Sequence, residues 1–195
     1  MPRPVRIKRE DILDVTYDIV RKNGIHFVNA RAIAEKLNSS VQPIFSQFKN
    51  MEELKKELTE KILETYREYI KSNLDCKNAY GQMGKNYIRF AKEEPKLFNM
   101  IFMNHTDFTP DKFACHDSSF AEILKFAKES TKLSENEVKQ FHLKMWIFVH
   151  GIATLVANNT CKFTDEQIDS LLLTEYKALI QLEKNEKMGE NENEI

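Results

Sequence analysis

Apolar residues recur at spacings of three and four along nearly the whole chain, and no stretch alternates with period two for more than a few residues. That spacing predicts helices throughout and no sheet. The first helix is expected from about Lys8 to Lys22, with Ile12, Val15, Thr16, Ile19 and Val20 on one side. Glu10, Asp11 and Asp14 stand early in it and Arg21 and Lys22 late, as the helix dipole favours. Asn23-Gly24 should stop it, with Gly24 as a left-handed C-cap residue. Phe27 and Val28 are then expected to plug the core. Asn29 is placed to cap a second helix, Ala30 to Leu37, that turns Ile33, Ala34 and Leu37 inward. The polar turn Asn38-Ser39-Ser40 leads to a third short helix, about Val41 to Phe48, with Ser39 or Ser40 as its cap. Pro43 falls in its first turn, where no N–H donor is required. Ile44 and Phe48 point to the core.

Two short helices joined by a tight polar turn, behind a longer first helix, predict a helix-turn-helix unit. A fourth helix should run from Asn50 to about Leu74 with Leu54, Leu58, Ile62, Tyr66 and Ile70 in one stripe. Asn50 and Glu53 make a variant capping box. Five more helices follow, at about 78–93, 95–104, 117–131, 134–158 and 165–185. Pro95 starts one of them and Pro110 lies in a loop. Thr131 or Ser134, the latter with Glu137 three residues on, and Thr164 are the expected caps. The fold expected is therefore all-α, with about nine helices: a helix-turn-helix domain over 1–49, a larger helical bundle over 50–185, and a charged, Asn-rich tail over 186–195 that should be disordered.

Charge sharpens this division. The chain has 195 residues and a net charge of −1, but residues 1–50 carry nine Lys or Arg against five Asp or Glu. The remainder carries 20 against 25. A basic head on a more acidic body points to a polyanionic partner at the N-terminal end. No apolar run is long enough to span a membrane, and MPRPVRIKRE lacks the apolar segment of a secretory signal. Three separated cysteines, Cys76, Cys115 and Cys161, suggest a reducing cytoplasm rather than a disulfide framework.

Taken together, residues 12–54 resemble the DNA-binding domain of TetR-family transcriptional regulators. The resemblance is carried by Ile12-Leu13, Lys22-Asn23-Gly24, Ile33-Ala34, Ser40, Ile44-Phe45-x-x-Phe48-Lys49 and Glu52-Glu53-Leu54. Further on, Tyr87 to Pro95 followed by Leu97-Phe98 is similar to the helix-Pro-helix junction of one branch of these regulators. Met145 to Gly151 resembles that branch's W-x-x-x-H-G segment. The sequence departs from the family where it would touch DNA. Phe45 stands in place of a frequent Tyr, Pro43 in place of a small polar residue, and Met51 in place of a frequent Lys.

The resemblance implies a sequence-specific regulator, expected to be a repressor released by a small, largely apolar ligand. Its DNA-facing residues would be Ser40, Val41, Gln42, Pro43, Phe45, Ser46 and Gln47, with Arg31 for a phosphate or a base, Lys49 for a phosphate, and Arg3, Arg6 and Lys8 as a basic arm. Gln42 is the best base-reading candidate, since an amide bonds adenine twice, and Val41 or Pro43 suits a thymine methyl. By family position the ligand would meet Tyr87, Phe90, Phe98, Met103, Phe120, Trp146 and His150. Ten of the 13 phenylalanines lie between Phe90 and Phe163, giving that region an adaptable aromatic core. The loop Asn104 to His116 would gate entry.

The partners implied are a palindromic double-stranded operator, a small-molecule effector and a second copy of the chain. The copy would pair through the two C-terminal helices: Leu143, Ile147, His150, Thr154 and Ala157 with small Gly151 and Ala153, and Ile168, Leu171, Leu172, Tyr176, Leu179 and Ile180. No cofactor is implied. Two other readings remain open. One is a helical interaction protein with weakened DNA binding, motivated by the three polar losses. The other is a helical-bundle enzyme or metalloprotein, but the five histidines form no H-E-x-x-H or E-x-x-H pattern, and there is no phosphate-binding Gly-rich loop.

Overall fold

The computed structural model describes residues 7–75, 78–103 and 120–193, without the side chains of 186–193. Among these residues the chain is helical and contains no strand. The helices are α1 (Arg9–Asn23), α2 (Ala30–Lys36), α3 (Gln42–Gln47), α4 (Met51–Lys71), α5 (Ala79–Glu93), α6 (Pro95–Phe102), α7 (Phe120–Thr131), α8 (Glu135–Ala157) and α9 (Asp165–Asn193), with a 3-10 turn over Ile25–Phe27. No described helix is long and apolar enough to cross a membrane.

The chain divides into two compact units, Met1–Glu68 with Glu93–His105, and Tyr69–Lys92 with Thr106–Ile195. This differs from a division after residue 49. The reason is that α1 packs not only on α2 and α3 but also on α6, and the guanidinium of Arg21 forms a two-pronged bond with the buried Glu94 carboxylate at the start of α6. Most of α4 joins the same unit through Leu54, Leu58 and Ile62, each fully buried.

In the first unit the core is the apolar stripe of α1 (Ile12, Thr16, Ile19 and Val20) against Ile33, Ala34, Ile44 and Phe48. Val15 is only half-buried. Gly24 ends α1, donating its N–H to the Val20 carbonyl at 2.8 Å. Its backbone is not left-handed helical as expected. At φ 98° and ψ 167° it occupies a region that is essentially glycine's alone. Phe27 does not plug the core. The 3-10 turn leaves it 59% exposed, and Val28 takes the inward place. Leu37 is half-buried rather than inward.

In the second unit α7 packs on α8 and α8 on α9. Phe141, Met145, Val149, Ile152 and Ala153 from α8 and Ile168, Leu172 and Leu179 from α9 are buried there. Asn86 on α5 finishes α4: its amide donates to the carbonyls of Ile70 at 3.0 Å and Ser72 at 2.8 Å. The last helix continues to Asn193, past the expected end near 185. Glu186, Lys187, Met188, Glu190 and Glu192, all good helix formers, outnumber Gly189, Asn191 and Asn193 in that stretch.

Candidate functional site

α3 is a helix of six residues, and its orientation is fixed from behind. Ile44 is fully buried and Phe48, just past its end, is 1% exposed. These two residues hold the helix by its inner row and leave the opposite face open. Val41 is 39% and Phe45 48% exposed, and Ser40, Gln42 and Ser46 are exposed as well. Pro43 and Gln47 are half-buried. Neither Ser39 nor Ser40 caps α3. Val41 occupies the cap position, and the Ser39 hydroxyl donates to the Ser40 carbonyl at 2.9 Å. Ser46 donates its hydroxyl to the Pro43 carbonyl at 2.7 Å.

A bracket at the far end of α3 holds it in place. Arg9 on α1 donates Nε to Glu57 at 2.9 Å and Nη2 to Glu53 at 2.7 Å and again to Glu57, and donates Nη1 to the Gln47 carbonyl. Its guanidinium carbon lies 3.9 Å from the centroid of the Phe48 ring. One cation thus joins α1, the C-terminal carbonyl of α3 and the first turns of α4. The arrangement is favourable at a helix C-terminus, where the dipole is negative. The Arg9 hydrogen bonds hold both Glu53 and Glu57 below the usual carboxylate range, and the two carboxylates push Arg9 up. Glu53 also accepts the Lys49 N–H at 2.6 Å, while Asn50 accepts the Glu53 N–H at 2.9 Å. Nothing in the residue spacing singles out Arg9, because its partners lie 38 to 48 residues away.

The other residues expected at this face are on the surface. Arg31 is exposed in the first turn of α2, whose cap Asn29 accepts the Ala32 N–H at 3.0 Å. Lys49 is exposed after α3, and Lys8 is exposed just before α1. Arg3 and Arg6 lie outside the described residues.

Of the seven residues expected around a ligand, five lie in the second unit and two in the first. Tyr87, Trp146 and His150 stand together: the Tyr87 hydroxyl is 2.8 Å from His150 Nδ1, and the Trp146 and His150 rings stack at 4.9 Å and 21°. Phe120 instead lies 5.7 Å from His142. His142 Nδ1 is 3.0 Å from the Tyr80 hydroxyl. Phe90 is fully buried, edge-on to Tyr69 at 5.2 Å. Phe98 and Met103 belong to the other unit. There Phe98 is fully buried against Phe102 at 5.1 Å, and Met103 is 46% exposed. The Asn104–His116 loop lies outside the described residues.

Two Tyr–His pairs therefore cross between α5 and α8, Tyr80 with His142 and Tyr87 with His150. Burial depresses His142 to about 4 and lowers His150 as well. It also pushes the Tyr80 hydroxyl up. Near neutral pH the second unit thus holds uncharged aromatic and hydrogen-bonding groups. The Thr154 hydroxyl, one turn beyond His150, is buried and has no hydrogen-bond partner among the described residues.

The expected pairing face is also divided. Ile168, Leu172, Leu179 and Ala153 are spent inside the unit, and Tyr176 bonds the Ser130 carbonyl at 3.0 Å. Leu143, His150, Thr154, Ala157 and Ile180 are half-buried. What α8 leaves outside is Ile147, 55% exposed, and Leu155, 36% exposed, with exposed Gly151 midway between them. Leu171 and Leu182, on one face of α9, are 37% and 44% exposed.

Comparison with known proteins bears on the whole chain. Residues 81–178 match the family model described as the tetracyclin repressor-like, C-terminal domain. The fold is similar to the crystal structure of a TetR-like transcriptional regulator from Rhodococcus sp. RHA1, with a TM-score of 0.63 over 90% of this chain and 96% of that one, at 16% identity. No curated protein matches the sequence.

Proposed function

Because this chain belongs to the TetR family of transcriptional regulators, we propose that it binds an operator through α3 and its flanking cations and is released by a small ligand held in its second unit. The observation that carries the DNA-binding reading is the two-sidedness of α3. Ile44 and Phe48 are buried while Val41, Gln42, Phe45 and Ser46 are open. A helix held from behind with an uncommitted outer face suits insertion into a major groove, whose base edges carry the sequence information. Arg31, Lys49, Lys8 and the arm with Arg3 and Arg6 supply positive charge for phosphates, which set affinity and register. Phe45 contributes no phosphate bond in this reading, and Met51 no charge.

Two copies pair in this proposal through the apolar row Ile147, Gly151 and Leu155 of α8 and the Leu171–Leu182 face of α9. Pairing covers apolar surface that the single chain leaves in water and sets two α3 helices at a fixed spacing for a palindromic site. The ligand site is the neighbourhood of Tyr87, Trp146, His150 and the unpartnered Thr154 hydroxyl. Its uncharged, aromatic character favours a largely apolar ligand with a hydrogen-bonding group. Such a ligand lowers operator affinity only to the extent that it binds the released state more tightly.

The test is fluorescence anisotropy of the full-length protein with duplex from its own upstream region, across salt concentrations and with competitor DNA. The expected result is a complex that survives excess competitor and weakens steeply with salt, by about 0.9 log units per log unit of salt for each phosphate neutralised. Complete displacement by competitor at every salt concentration favours instead a helical interaction protein without an operator.

A further inference from the structure

The twelve residues from Leu37 to Phe48 contain no Lys, Arg, Asp or Glu. The part of the chain proposed to face the bases is therefore uncharged, and it is organised in rows. Val41 and Phe45 are four apart and form an exposed apolar row. Gln42 and Ser46, also four apart, form an exposed polar row beside it. Ile44 and Phe48 form the buried row behind both.

Each base pair asks for a different partner in the major groove. Guanine presents two acceptors, met best by the donors of Arg or Lys, and cytosine presents an amine, met by Asp or Glu. Adenine presents an acceptor beside a donor, met by the amide of Gln or Asn, and thymine presents a methyl group, met by an apolar side chain. The exposed rows of α3 supply the last two partners and neither charged one. Ser46 adds no charge to this face: its hydroxyl donates to the Pro43 carbonyl at 2.7 Å. Along the chain Lys36 and Lys49 bound the uncharged run, Arg31 stands on the preceding helix, and Arg9, the cation packed against the end of α3, is engaged by Glu53, Glu57 and the Gln47 carbonyl. The positions of Lys36, Lys49 and Arg31 suit the sugar-phosphate strands.

We infer that the operator half-site is built around A·T pairs, with the Gln42 amide on an adenine and the Val41–Phe45 row on the C5 methyl groups of neighbouring thymines. The inference rests on the regulator reading above and gives it a substrate. It also accounts for Phe45: an aromatic ring that bonds no phosphate is an asset against a row of methyl groups.

The experiment is selection of binding sites from random duplex by the full-length protein, followed by affinity measurements on the selected duplex with thymines replaced by uracil, which lacks only the C5 methyl. Half-sites rich in A·T are expected. Uracil at the contacted positions should weaken wild-type binding about fourfold per methyl group. The penalty should shrink in a Val41→Ala, Phe45→Ala double variant, which keeps only two short methyl groups of the apolar row. Both residues are exposed, so the variant keeps its core, and its helical signal checks this. Selection of G·C-rich half-sites, or wild-type affinity indifferent to uracil, overturns the inference and leaves the regulator reading intact, because a specific site has been selected. Failure to enrich any site overturns both.

Discussion

His142 shows how much a single position can settle. Its ring is buried, its Nδ1 lies 3.0 Å from the Tyr80 hydroxyl, and burial holds its pKa at about 4 against an ordinary 6.5. Above pH 6.5 the ring is neutral in both the folded and the unfolded chain and has no effect on the balance. As pH falls from 6.5 toward 4 the unfolded chain accepts a proton that the folded chain refuses, so stability drops by about 1.4 kcal/mol per pH unit, roughly 3 kcal/mol in all. Below that window both states are protonated and the loss stops. His142→Asn keeps a polar nitrogen near the Nδ1 position but does not titrate. Urea midpoints of this variant should change less between pH 7 and pH 5 than those of the wild type. Glu53 and Glu57, both depressed by Arg9, add the same acid-side loss to wild type and variant, so their effect cancels in the comparison. Equal pH dependence in the two proteins contradicts a neutral buried ring.

Among the elements, α3 is too short to hold itself: six residues fall well below the length at which a helix is stable alone. Its place depends on Ile44 and Phe48 beneath it and on the Arg9 bracket at its end. Arg9 spends its charge on Glu53, Glu57 and the Gln47 carbonyl rather than on a partner molecule. Arg9→Gln should therefore lower operator affinity severalfold while leaving the slope of log affinity against log salt unchanged. Lys49→Gln should lower that slope by about 1, as the loss of a phosphate contact does. A slope reduced in Arg9→Gln would place Arg9 on the DNA backbone and remove the bracket's positioning role. What the sequence reveals about these elements follows the range of the interaction. The caps Asn29, Asn50 and Thr164 act over three residues and are legible: each accepts the N–H three positions on. At Ser134 the bond runs the other way: its backbone N–H donates to the Glu137 carboxylate at 2.7 Å. The stripe Leu54, Leu58, Ile62, Tyr66 and Ile70 is legible because periodicity alone declares it, and all five are buried. Arg9 with Glu57, Arg21 with Glu94 and Tyr80 with His142 bring together residues 48 to 73 positions apart, and no local pattern announces them. The outward turn of Phe27 is hidden for another reason. Apolar character predicts burial, but the 3-10 turn had room for only one of two adjacent apolar side chains.

At the scale of the whole molecule, the excess positive charge is a property of the first 50 residues rather than of a whole unit. Those residues lie in the unit that carries α3, but the acidic residues of α4 and of the segment before α6 bring that unit to a net +1, against −2 for the unit with the Tyr–His pairs. In the proposed function the two units divide the tasks: phosphate attraction and base reading in one, pairing and ligand response in the other. The account turns on α3 reading bases, and the most direct measurement is the ratio of specific to non-specific affinity in Gln42→Ala. It is to be taken on selected and scrambled duplexes at equal protein and salt concentrations. Removing one two-bond amide contact should cut the specific affinity by a factor of about 5 to 150, matching about 1–3 kcal/mol, with the scrambled duplex bound as before. An unchanged ratio, or an equal loss on both duplexes, would contradict base reading by this helix.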